Sequence, residues 1–229
     1  SYDIVESLTT EGGARMVGTP GADAATDWAM AKMKALGFDK VWVEESQAQL
    51  WQRGDLTASI TAPYPHKVVA IALGGSVGTN GQAINAEVAY FDDLTALQAA
   101  PEGSLKGKIA YVGYRMERHI DGHGYGKAVG ARVAGASAAA KKGALAFIMR
   151  SVGTDTDRIG HTGMMRYEEG IAKIPAVALS NPDADLLENM LRREQPVTFS
   201  LNTSASGPTG DTVTIANVIG EVTGAETPD

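Results

Sequence analysis

Cysteine is missing altogether from the 229 residues. Its absence excludes a disulfide scaffold, a thiolate zinc site and a cysteine nucleophile, and leaves the compartment open. No apolar run approaches the roughly 18 residues that a membrane helix needs, so no membrane partner is expected. A basic block is missing as well. Lys and Arg number 20 against 27 acids, for a net charge of -7, which argues against a binder of phosphate backbones and makes nucleic acid an unexpected partner. No GxSxG elbow occurs, and Ser137 and Ser151 have no base nearby in sequence, so acyl-enzyme chemistry finds no support. The chain opens at Ser1-Tyr2-Asp3 without an initiator Met or a leader-like segment. The expectation is that a targeting signal has been removed and that these ends are not the ends of the gene product.

What is present is enough apolar sequence for a sizeable core: 44% of residues are hydrophobic and 21% charged. Thr19-Pro20-Gly21 opens a helix whose Ala25, Ala29, Met33 and Leu36 recur at helical spacing until Gly37, and Val41 and Val43 alternate as a short strand. From Leu50 to about Ala72 the pattern is β-like, with a boundary expected near Ala62. Beyond it lie strand-like AEVAYF (86–91) and KIAYVGY (108–114), a helix over about 125–142 stopped by Gly143, and a buried run ALAFIM (144–149). Asn181 as cap, Pro182 at the first position and the Leu186, Leu187, Met190, Leu191 stripe predict another helix. After a loose linker over 204–210, VTIANVIGEV (213–222) reads as a long strand. Such a strand needs sheet neighbours, and its match lies in residues 1–62. The chain is therefore expected to be α/β, with a split domain of residues 1–62 and 209–229 interrupted by an inserted unit, 63–208. The split part holds too few elements to cover both faces of a sheet, which suggests a piece of a longer enzyme.

Candidate chemistry is sparse. In RHIDGHGYG, His119, Asp121 and His123 would project to one side of an extended segment, the spacing of a small metal site; the other reading is a solvated polar loop. Gly122, Gly124 and Gly126 argue against a helix there. The run from Gly124 to Gly130 imitates a dinucleotide-binding turn, but its glycine spacing and distance from the preceding strand are wrong, and a flexible loop is the better reading. Asp92-Asp93, Glu44-Glu45 and Glu168-Glu169 read as exposed faces rather than paired catalytic carboxylates. Arg150 and Ser151 directly follow the buried ALAFIM strand, at the end of an α/β sheet that usually carries binding groups. His161, Thr162 and Tyr167 lie in the polar loop that follows. These five are the candidate substrate contacts, with a surface loop ordered by its own side chains as the alternative.

The segments LTTEGGARMVGTPGADAATDWAMAKMKALGF, GSLKGKIAYV, AAKKGALAFIMRSV, HTGMM, KIPAVALSNPDADLL and TIANVIGEVTGAETPD, in this order, resemble the amino-terminal half of a carboxypeptidase Q-like (plasma glutamate carboxypeptidase-like) metallopeptidase, one of the co-catalytic zinc aminopeptidase group. The resemblance implies that residues 63–208 are a protease-associated domain set into an incomplete aminopeptidase-like α/β domain. It also implies an exopeptidase parent acting on short peptides with two zinc ions. Their ligands and the general base would follow the segment similar to NVIGEVTG, so neither metal-binding nor catalytic residues are expected in this chain, which alone would be inactive. Arg150, Ser151, His161, Thr162 and Tyr167 would form the lid surface facing the cleft. The implied partners are a short peptide, the remainder of the catalytic domain and, as a further one, a second copy of the chain; the implied place is periplasmic or extracellular. Two readings from other classes stand beside it: a complete non-enzymatic peptide- or protein-binding module, and a metal-binding protein using His119, Asp121 and His123.

Overall fold

The computed structural model describes residues 1–207 and 209–226. Position 208 of the expected insert and positions 227–229 of the returning segment thus lie outside the described residues. The chain divides into two compact units: Ser1–Trp51 with Thr209–Asp229, and Gln52–Pro208.

The first unit holds α1 (Tyr2–Gly12), α2 (Pro20–Ala35), β1 (Lys40–Gln49) and β10 (Thr212–Glu221). β1 and β10 form an antiparallel ribbon in continuous register from Lys40↔Glu221 to Gln49↔Thr212. β1 is thus longer than the alternating valines suggested, because its far half is held by β10 rather than by burial. Thr19 precedes α2 in extended conformation with Pro20 in the first turn, and Gly37 leaves the helix at φ 86°. α1, which no periodicity announced, packs on α2 through a 2.8 Å bond from Trp28 Nε1 to Ser7 Oγ. Gly220 lets Phe38 and Met33 approach β10: a side-chain carbon there would lie 2.6 Å from the Phe38 ring and 3.0 Å from the Met33 sulfur. No described residue of this unit is fully buried.

The second unit is built on an eight-stranded mixed sheet, in the order β3-β2-β9-β5-β6-β7-β8-β4. Its strands are β2 (Leu56–Ala62), β3 (His66–Lys67), β4 (Ala70–Ala72), β5 (Ile84–Phe91), β6 (Lys108–Val112), β7 (Ala146–Arg150), β8 (Ala176–Leu179) and β9 (Thr198–Thr203). β5 to β8 run parallel, while β2, β3, β4 and β9 pair antiparallel. The unit starts at Gln52 rather than after Ala62 because β2 pairs along its length with β9. Alternation on the central strands feeds a core on each face. Ala110, Val112, Phe147 and Met149 pack with α3 (Leu94–Ala99) and the alanine-rich face of α4 (Gly124–Lys141). Ile109, Tyr111, Ile148 and Leu179 pack with Ala184, Leu187 and Met190 of α5 (Asn181–Leu191). At Gly135 of α4 an added carbon would collide with the Phe147 ring, so this glycine sets the helix-to-sheet distance.

Three local expectations are corrected. α4 begins at Gly124, so the glycine run Gly124–Gly130 is helical, not a flexible loop; tertiary burial of Gly124, Ala128 and Ala131 outweighs the poor helix propensity of glycine. Gly124 also sits where a side chain would meet the Glu117 carbonyl, which explains its identity. α5 is capped by Ser180, one residue before Asn181: its Oγ accepts from Asp183 N at 3.2 Å. Asp93, read as an exposed acid, caps α3 by accepting from Ala96 N at 2.8 Å.

Candidate functional site

Arg150 closes β7 at the carboxyl end of the parallel strands, with its side chain 1% exposed. Nη2 donates to Asp185 Oδ1 at 2.6 Å and Glu188 Oε1 at 2.8 Å, Nε to Glu188 Oε1 at 3.2 Å, and Nη1 to the Asn181 carbonyl at 3.3 Å. Glu188 Oε1 also accepts from Tyr111 Oη at 2.7 Å, and Arg115 reaches Asp185 from outside. Burial opposes ionisation of Asp185, yet the hydrogen bonds from Arg150 and Arg115 hold it below the ordinary carboxylate range. Burial, with the Glu188 charge beside it, pushes the Tyr111 hydroxyl well up. Nearby Tyr90 is pushed up to about 12, by burial first and by its bond with Asp92. Arg150 is therefore committed to tying β7 to α5. Asp185 and Glu188 lie on one face of α5 by their i, i+3 spacing, which brings both carboxylates to one cation, while Asn181 contributes its backbone carbonyl.

Ser151 is fully buried. Its Oγ donates to the Leu179 carbonyl at 2.5 Å and accepts from His161 N at 2.8 Å, which pins the loop after β7 to β8. Thr162 Oγ1 donates to the Ala72 carbonyl at 3.0 Å and accepts from Arg53 Nη1 at 3.2 Å. Tyr167 Oη donates to the Ile174 carbonyl at 2.6 Å and accepts from Val77 N at 3.0 Å; burial raises its pKa. His161 differs: its side chain is 45% exposed, with Nε2 2.7 Å from Asp155 Oδ2. The five candidates thus share one loop system, but Arg150 and Ser151 face inward, Thr162 and Tyr167 fasten the loop, and His161 presents a polar ring outward. Gly74 holds the same loop by a pair of 2.9 Å backbone bonds, to Gly163 and from Met165.

The residues that sequence reasoning missed are Asp155 and Asn181, which link the loop to α5: Asn181 Nδ2 donates to the Gly153 carbonyl at 3.3 Å and the Asp155 carbonyl at 3.2 Å. Asp183 was read only as a first-turn acid. It accepts from Val69 N at 2.8 Å, from Ser180 Oγ at 2.6 Å and from Arg158 Nε at 3.0 Å. Burial opposes its charge, but these bonds hold it below its ordinary value.

The His119–His123 segment is not extended. The two rings stack at 3.6 Å between centroids, His123 Nδ1 lies 2.6 Å from Asp121 Oδ1, and His119 Nε2 lies 3.3 Å from Glu117 Oε2. Each imidazole is thus within reach of a different carboxylate, Glu117 for His119 and Asp121 for His123. Among the described residues no group of three His, Asp or Glu is placed to hold a metal ion. No helix among them is long and apolar enough to cross a membrane.

Comparison with known proteins adds what this geometry alone does not carry. No protein-family model matches the chain. Carboxypeptidase Q of Bos taurus is 30% identical over 230 residues, 100% of this chain and 47% of the relative. The crystal structure of a peptidase M28 precursor from Shewanella amazonensis SB2B is similar with a TM-score of 0.93 and 50% identity, over 98% of this chain and 50% of that one. BSAP, a zinc aminopeptidase from Bacillus subtilis, shares the fold with a TM-score of 0.61 at 21% identity, over 96% of this chain and 45% of that one. The chain spans about half the length of the curated relatives it matches.

Proposed function

From a chain that resembles carboxypeptidase Q-like peptidases along its whole length, we propose that it is the amino-terminal half of a two-zinc exopeptidase that hydrolyses short peptides. The observation that carries this reading is the similarity itself, 50% identity to a peptidase M28 precursor over 98% of the chain. The exposed apolar side chains of the first unit, Tyr2, Val5, Leu36 and Val222 among them, support it: a two-stranded ribbon with two helices lacks the partners a peptidase α/β domain would supply. The remainder of that domain is the first partner we assign to the chain.

We assign the second unit the role of a protease-associated domain that covers the cleft and limits the substrate to short peptides. His161 would face substrate, with Arg150, Ser151, Thr162 and Tyr167 holding its loop in place. From the resemblance we assign the zinc ligands and the general base to the part of the parent enzyme that follows the segment similar to NVIGEVTG. On the same resemblance we place the protein in the periplasm or outside the cell.

The test is zinc content and dipeptide hydrolysis, side by side, for the 229-residue chain and for the product of its gene read to the natural stop codon. The reading expects about two zinc ions and peptidase activity in the longer product only. A longer product that captures peptides without zinc or turnover would mean a binding module instead.

A further inference from the structure

We propose that Arg132, set between the Tyr125 ring and the Gly163 backbone, binds a carboxylate of a peptide ligand. The inference rests on the peptide-substrate reading above and names a contact for it. The arginines Arg115, Arg150 and Arg158 all pair with Asp or Glu. Arg132, like several exposed arginines, has no such pair among the described residues, and its hydrogen-bond partner is the neutral hydroxyl of Tyr125, to which Nη2 donates. Its Nε is buried and has no acceptor. Nε–H has thus given up hydration without gaining an acceptor, and among the described residues no carboxylate offsets the charge of this guanidinium, which an anion at its open edge would do.

The surroundings are shaped for that group. The guanidinium carbon lies 5.5 Å from the Tyr125 ring centroid, an attractive geometry for a cation over an aromatic face. On the side of the loop, a side-chain carbon at residue 163 would fall 2.6 Å from Arg132 Cζ and 2.8 Å from Nε. Only glycine leaves the space that the guanidinium occupies. With Nε covered, the Nη edge is the part left to a ligand. Tyr125 Oη, having accepted from Nη2, keeps its own proton to donate, so the site offers two guanidinium nitrogens and a hydroxyl to one anion. A planar carboxylate suits that fork. The residue after Gly163 is Met164, 69% exposed, an apolar surface that an amino-acid side chain would cover and a bare inorganic anion would not.

Binding is tested on the 229-residue chain by following the Arg132 Nε–H signal in ¹⁵N NMR, assigned by its loss in Arg132→Lys. N-acetylleucine is the probe; its amide, N-acetylleucinamide, removes the charge, and inorganic phosphate removes the peptide character. The expected result is a saturable shift with N-acetylleucine, none with the amide, and weaker binding of phosphate. Arg132→Gln is expected to lose about tenfold or more in affinity, and Tyr125→Phe, which keeps the ring, a smaller part; circular dichroism checks that both remain folded. No saturable shift, an equal response to the amide, unchanged affinity in folded Arg132→Gln, or phosphate binding as tightly as N-acetylleucine would each overturn the proposal. Neither zinc nor turnover is read, so failure here leaves the peptidase reading standing, and failure of that reading leaves a measured carboxylate site.

Discussion

Arg150 and His161 were drawn together by the same argument, position after a buried strand, and their surroundings separate them. Arg150 is 1% exposed and saturated by Asp185, Glu188 and the Asn181 carbonyl, while the His161 side chain is 45% exposed. Truncating Arg150 leaves Glu188 and Tyr111 facing each other without the cation. Arg150→Ala is therefore expected to cost about 3–5 kcal/mol, the usual penalty for breaking one side of a buried pair. His161→Ala is expected to stay within about 0.5 kcal/mol. Urea unfolding of both variants checks this; a stable Arg150→Ala would mean that the buried pair contributes little to the fold. Legibility at this scale was limited: the sequence located the loop, but the inward direction of Arg150 and Ser151 depends on partners more than 25 positions away.

α5 shows how an element can be legible in outline and misjudged at its start. Its proline and apolar stripe announced it, but the cap is Ser180 rather than the expected Asn181, held there by the contacts that Ser180 and Asp183 make with the chain before β4. Ser180 and Asp183 bond reciprocally, and Asp183 also takes the backbone N–H of Val69, just before β4. This makes α5 sensitive to acid. The Asp183 pKa is lowered in the folded chain, so the folded state binds fewer protons at this site than the unfolded one. Its contribution is complete above the unfolded carboxylate value of about 3.9 and is lost as pH falls through the lower folded value. Melting temperature measured from pH 6 downward is expected to fall less steeply in Asp183→Asn, which starts lower, than in the parent chain. Parallel curves would remove the assignment. α4 was legible over 125–142, and only the reading of its glycine run as a loop fails: glycine lowers local propensity, but Gly124, like Gly135 further along, stands where a side chain would strike backbone or ring.

At the scale of the molecule, the two units differ in how they are held. The unit Gln52–Pro208 has a core on each face of its sheet. The unit formed by the chain's two ends has no fully buried described residue. Opening free energies follow burial, so amide hydrogen exchange is expected to be fast throughout α1, α2, β1 and β10 and slow in β6, β7 and β8. Equal protection in β1 and β6 would contradict it. Similarity to relatives about twice as long gives this contrast a meaning under the proposed function: exposed apolar side chains of that unit, Tyr2, Val5 and Trp42 among them, are where the rest of a peptidase domain would pack.

The sequence by itself determined the α/β class, the central strands and helices, and the resemblance to carboxypeptidase Q-like peptidases, because hydrophobic period, capping residues and ordered motifs are local properties of the chain. It also implied that β10 returns to the segment at the other end, since a long strand needs neighbours. Tertiary structure alone decided that β2 belongs with β9, that the two histidines of RHIDGH stack on each other, and that Arg150 turns inward while Arg132 has no counter-charge among the described residues. Those outcomes depend on which groups meet across long stretches of chain, and the cost of burying a charge or a hydrogen-bonding group is set only when its partner arrives.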